Sequence, residues 1–108
     1  MDLQDVGEVI ATRKLYVYEA ADRRREIVVK LGRPQPFPDD AYDNWYCPFQ
    51  VVGIGSEQVR YAGGVDAFQA LQLVMRGVGI YLSSLNEEQG GRLRWLDDEG
   101  TDLGFPSS

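Results

Sequence analysis

The chain has 108 residues, 44% hydrophobic and 26% charged, proportions that suit one globular domain with a single core. Seventeen acids against eleven bases give a net charge of −6, which argues against nucleic acid, whose phosphates need a basic face, and leaves open attraction to a basic protein partner. No apolar run of 18 residues could cross a membrane, the acidic start M-D-L-Q-D-V-G-E lacks a secretory apolar region, and one cysteine excludes an intrachain disulfide, so the expected setting is the cytoplasm.

The whole of 1–108 reads as one domain, with 1–7 and 107–108 as loose ends. Residues 8–19 mix β-branched and aromatic side chains (V-I-A-T-R-K-L-Y-V-Y) and predict a strand. Residues 26–32 (E-I-V-V-K-L-G) predict a second strand, paired with the first as a hairpin. Asp22-Arg23-Arg24-Arg25 lies at its turn and reads as a solvated charge run rather than a phosphate-binding patch.

Residues 33–45 (R-P-Q-P-F-P-D-D-A-Y-D-N-W) form the longest loop candidate. Pro34, Pro36 and Pro38 exclude helix and interior strand and favour extended polyproline geometry. Phe37, Tyr42, Trp45 and Tyr46 crowd beside Asp39, Asp40 and Asp43, a mixture of rings and carboxylates suited to a cationic partner. The competing reading is a rigid loop whose rings close one end of the core. A third strand follows over 46–55, with Pro48 expected at an edge or bulge, and a fourth over 57–62 leads into Gly63-Gly64, read as turn residues.

Residues 63–85 contain the one long helix. Asp66 is the expected N-cap and Gln69 completes a capping box. Phe68, Leu71, Met75, Val78, Leu82 and Leu85, widened by Ala67, Val74 and Tyr81, predict the core-facing stripe, and Gly90-Gly91 its stop. Gly77 and Gly79 suggest close approach to a sheet. Leu73 and Ile80, with Gly77 and Ser84, form a second strip away from the core, which the tail 103–106 is expected to cover. A short fifth strand over 92–96, a polar turn at 97–102 and the tail complete the order β-β-β-β-α-β. The predicted class is α+β, an antiparallel sheet of four to five strands with one long helix across one face.

Several motifs fail their structural requirements. Asp39-Asp40-Ala41-Tyr42-Asp43 spells D-D-x-x-D, but it follows Pro38 in a chain too short for the helical bundles in which that pattern binds metal diphosphate. Cys47 has no histidine anywhere in the chain to activate it, and reads as a small hydrophobe. Gly53-Ile54-Gly55 lacks the third glycine and the following helix of a dinucleotide site. Arg60, Arg92 and Arg94 read as solubilising edge charges. No catalytic residue, metal ligand or cofactor is assigned.

The segments L-G-R-P-Q-P-F-P-D-D (31–40), W-Y-C-P-F-Q-V-V-G-I-G (45–55), R-Y-A-G-G-V-D-A-F-Q-A-L-Q-L (60–73) and G-F-P (104–106) resemble a family of small bacterial proteins classed only as a domain of unknown function. The resemblance spans roughly 11–106 and implies no activity. The stretch G-V-D-A-F-Q-A-L-Q-L (64–73) is also similar to helices of some immunity proteins that neutralise bacterial toxins.

The resulting expectation is a non-catalytic protein-binding module, an immunity-like inhibitor being one form. Its surface would be Phe37, Asp39, Asp40, Tyr42, Asp43 and Trp45, with Leu73, Gly77 and Ile80 as a secondary interface through which a homodimer could also form. The alternative is a small-molecule binder or enzyme with a cleft between the 33–46 loop and the sheet, lined by Arg33, Asp39, Arg60 and Tyr61.

Overall fold

The computed structural model describes residues 1–20, 23–96 and 102–106. Among these residues seven elements follow in chain order: β1 (Val9–Tyr18), β2 (Arg24–Gly32), β3 (Gln35–Pro36), β4 (Trp45–Val52), β5 (Arg60–Gly64), α1 (Ala67–Glu88) and β6 (Leu93–Arg94). All strand pairs are antiparallel, and the single helix packs on β4 and β5. The class is α+β, as the element pattern predicts.

The β1–β2 hairpin is organised by alternation. Leu15 pairs with Ile27 and Arg13 with Val29, and Leu15, Val17, Ile27 and Val29 all enter the core, so their neighbours Lys14, Tyr16, Glu26, Val28 and Lys30 take the opposite face. Asp22 lies outside the described residues. Two arginines at this end have local roles: Arg24 lies over the Tyr16 ring at 4.2 Å, and Arg25 donates to Glu19 at 2.8 Å and to the Gly53 carbonyl. The Arg25 hydrogen bond holds the Glu19 carboxyl below its ordinary pKa.

The short strand β3 is absent from the expected order, and it prolongs β2. Leu31 pairs with Phe49 and Gln35 with Tyr46, so four steps along one strand match three along β4, and one extra residue is accommodated as a bulge. Pro48, fully buried in β4, sits against this irregularity, where the ladder is already broken. Gly32 is required there by close approach: a Cβ would collide with the Val6 carbonyl oxygen and the Pro48 ring. Val6 is buried, within a segment read from the sequence as a loose start. The Arg33 amide donates to the Glu8 carbonyl at 2.9 Å and ties this segment to the bulge.

At the start of α1, the Asp66 carboxylate accepts from the Gln69 amide at 2.8 Å, and the Gln69 side chain accepts from the Val65 amide at 2.8 Å. The helix continues to Glu88, three residues past Leu85. Its buried line is Ala70, Val74, Val78, Leu82, Leu85 and Asn86, with Leu71, Met75 and Tyr81 at its margins. Phe68, expected in that line, is 80% exposed. Gly63-Gly64 closes β5 rather than forming a turn, and it explains the shift. A Cβ on Gly64 would stand 2.5 Å from the Ala70 amide nitrogen, so the strand runs against the first helical turn and Ala70 occupies the inward position.

The tail takes a different course from the expected one. Leu103 and Phe105 enter the main core, and the tail lies against Gly79, where a Cβ would meet the Pro106 carbonyl oxygen at 3.1 Å and the Phe105 Cβ at 3.3 Å. That is close approach to the tail, not to the sheet, and around Gly77 no such contact exists. At 100° per residue Gly79 lies on the opposite flank of the buried line from Leu73 and Ile80. Ile80 accordingly stays 70% exposed and Leu73 38% exposed, and the described tail does not cover them.

After α1, Gly90 and Gly91 both adopt positive φ and end the helix. The buried Asn86 side chain accepts from the Leu93 amide at 2.9 Å, which aligns β6 with β1. Most of the polar turn expected at 97–102, and residues 107–108, lie outside the described residues. Beyond that turn, Arg13 holds the tail: its guanidinium lies 4.0 Å from the Trp95 ring and 4.5 Å from the Phe105 ring, and donates to the Leu103 carbonyl at 3.2 Å. Among the described residues, no helix is long and apolar enough to cross a membrane.

Candidate functional site

The pairing of β3 with β4 turns the proline-rich segment into a hairpin loop over 37–44, closed at its base by the Phe37 amide donating to the Asn44 carbonyl at 2.9 Å. Inside the loop the Asp40 carboxylate accepts from the Tyr42 amide at 2.7 Å, and the Asp40 carbonyl accepts from the Asp43 amide at 3.2 Å. Asp39 and Asp43 have φ of 56° and 54°. Aspartate is among the few L residues that enter this region at modest cost, so the acids shape the turn as well as charge it.

The structure divides the six residues expected at this surface. Trp45 packs against the main core on the helix side of the sheet, beside Cys47, Phe49 and Val51 of the same alternation. Phe37 lies on the other side, its ring centroid 5.1 Å from Tyr46 and 5.8 Å from Tyr61, while Tyr46 and Tyr61 are 5.9 Å apart. This cluster is a second, small apolar centre on the face without the helix. Asp40 is half-buried, and Asp39, Asp43 and Tyr42 project outward, with Tyr42 85% exposed. The rings at the loop's base are structural, and its tip is free.

Tyr46, expected among the loop's rings, and Tyr61, expected as a polar group of a cleft, are the supports of the loop's base. Their signal was present in β4, where Tyr46-Pro48-Gln50 alternates with Cys47-Phe49-Val51 and assigns the two sets to opposite faces. The same alternation separates the groups expected to line a cleft. Tyr61 faces Phe37, whereas its neighbour Arg60 lies over the Tyr81 ring at 4.0 Å on the helix side. Arg33 stands 3.6 Å from the Glu8 carboxylate. These side chains do not converge on one cavity.

Cys47 is 0% exposed, its thiol donates to the Gly32 carbonyl at 3.3 Å, and burial pushes its pKa up to about 11. A thiol held in this way stays protonated and acts as a core atom. Leu73, Gly77 and Ile80 lie on the helix, across the sheet from the aromatic cluster, so they form a separate surface from the loop tip.

No curated protein and no solved structure matches the chain, so the likeness of 64–73 to toxin immunity proteins finds no support there. A family model does match residues 11–107, nearly the entire sequence, and the chain belongs to the family described as a domain of unknown function, DUF6968.

Proposed function

We propose that the chain is a non-catalytic protein-binding module whose recognition element is the tip of the 37–44 loop. Tyr42 is the anchor, and Asp39, Asp40 and Asp43 steer a partner with a basic patch toward it. The observation that carries this reading is the 85% exposure of Tyr42 on a loop whose base is fixed by the Phe37–Asn44 hydrogen bond and the Phe37–Tyr46–Tyr61 cluster. A large ring held in water on a preorganised loop contributes little to folding and keeps its apolar area for binding, where little conformational entropy remains to be lost. An inhibitor of a basic enzyme, such as a toxin, would be one form of such a module. The helix strip of Leu73, Gly77 and Ile80 is a secondary contact surface in the same reading.

The test is affinity capture from the source organism with the full chain, its Tyr42→Ala variant and its Asp39→Asn/Asp43→Asn variant. Tyr42 is the informative ring, since loss of Phe37 or Trp45 would mix binding with stability. The expected result is a partner held by the unaltered chain, lost with Tyr42→Ala, and weakened by salt and by the double amide variant. Capture that is indifferent to both variants would overturn the assignment of this surface.

A further inference from the structure

The face of the sheet opposite the helix changes character along its length. At the loop end it carries the Phe37, Tyr46 and Tyr61 rings. At the hairpin end, β1, β2 and β6 turn a different set of residues outward. Lys14 pairs with Val28, Tyr16 with both Glu26 and Arg94, and Lys30 with Thr12 on one side and Gln50 on the other. Cross-strand partners share a face, so Lys14, Lys30, Arg94 and Arg24 lie along it, Arg24 stacked on Tyr16 and Arg94 donating one guanidinium nitrogen to the Gly91 and Leu93 carbonyls at 2.6 and 2.8 Å. Among the described residues of these three strands, Glu26 is the one carboxylate on that face. Both lysines of the chain are in this patch. Four of the eleven basic residues of this protein of net charge −6 thus lie on one open surface, and among the described residues no helix covers it.

We propose that this basic face receives an acidic polypeptide segment in extended conformation. Charge complementarity selects the partner's sign, and the spacing selects its form. Lys14 and Lys30 are diagonal neighbours about 7–8 Å apart at the backbone. Alternate side chains of an extended strand repeat at about 6.6–6.8 Å, so carboxylates at every second position of the guest meet successive cations. A nucleic-acid strand fits less well. The face of Tyr16 that would stack on a base is occupied by Arg24, and a long polyanion would extend beyond the patch to the acids elsewhere on the molecule. Arg24 and Lys30 are six residues apart on β2, about 20 Å of strand, a length that a short extended segment follows without leaving the patch. This surface is distinct from the 37–44 loop and takes a partner of the opposite charge.

The experiment is fluorescence anisotropy on the full chain with three probes: a labelled ten-residue peptide with Glu at alternate positions, its Gln counterpart, and a labelled single-stranded oligonucleotide. Each is titrated at low and physiological salt against the unaltered chain, Lys14→Glu/Lys30→Glu and Lys14→Arg/Lys30→Arg. Circular dichroism and sedimentation confirm folding and monitor association. The expected result is saturable, salt-sensitive binding of the Glu peptide, weakened about tenfold by double charge reversal and retained by the Arg variant, with no binding of the Gln peptide. Four outcomes would each overturn the proposal: no saturable binding of the Glu peptide, equal binding by the folded charge-reversed variant, tighter binding of the oligonucleotide, or self-association abolished by the same reversals, which would make a second copy the occupant.

Discussion

On the helix side of the sheet, Leu15, Val17, Ile27, Val29, Cys47, Phe49 and Val51 interlock with Val74, Val78 and Leu82 and leave almost no side chain in contact with water. On the open side, apolar burial is found at the loop end, where Phe37, Tyr46 and Tyr61 cluster and Pro48 and Val6 are buried beside them, and gives way to Lys14, Lys30, Arg24 and Arg94 at the hairpin end. Both faces are built by the same strands in the same register. The difference shows that the burden of stability is carried by one face, which leaves the other free to carry charge and exposed rings.

The two faces should respond most unequally when the covered one is truncated. Leu82→Ala removes a side chain that is 1% exposed, and should cost about 3 kcal/mol of unfolding free energy, read from the shift in denaturant midpoint. A cost below about 1 kcal/mol would mean that the helix–sheet core is loosely packed.

The next effect comes from pH. The Cys47 pKa is about 11 in the fold against 9.0 as its ordinary value, so below pH 9 the thiol is protonated in both states and its contribution to stability is complete. As pH rises from 9 to 11 the unfolded chain ionises first, and up to about 3 kcal/mol is lost, at about 1.4 kcal/mol for each pH unit crossed. Cys47→Ala lacks this ionisation. The stability difference between the two proteins should therefore change in favour of the variant across that window, measured by urea unfolding at pH 8 and pH 11. A difference independent of pH would contradict the burial of the thiol.

The open face supplies the smaller effects, and they separate two parts of the loop itself. Phe37→Ala dismantles the aromatic cluster from a half-buried position and should cost about 2 kcal/mol. Tyr42→Ala, further along the same loop, removes a ring 85% exposed and should change stability by less than about 0.5 kcal/mol. Thermal melts of the two variants distinguish the structural base of the loop from its free tip.

Much of the architecture was legible residue by residue. Asp66 and Gln69 cap the helix where their chemistry requires, the β1–β2 hairpin follows its β-branched alternation, and Pro48 occurs at a bulge because it cannot extend a ladder. Of the candidate surface, the loop, its acids and the reading of its rings as a closure of the core were legible, but not which ring stays outside. Ring chemistry is much the same for Phe37, Tyr42 and Trp45, and only their neighbours decide that two are structural and one is exposed. Phe68 escaped for a related reason: it fits the helical period, yet the approach of Gly64 to Ala70 fixes which arc of the helix meets the sheet.

The α+β class, the helix limits to within a few residues and the acidic, proline-stiffened loop follow from the residues alone, because they rest on caps, periodicity and backbone restrictions that act over a few neighbouring positions. Three other features emerge only when the chain is folded: β3 continues β2, the tail packs by Gly79 and leaves Ile80 exposed, and the lysines gather with Arg24 and Arg94 on one open face. Those features depend on which distant segments meet. Packing, not local preference, selects among the arrangements that the same short-range signals allow.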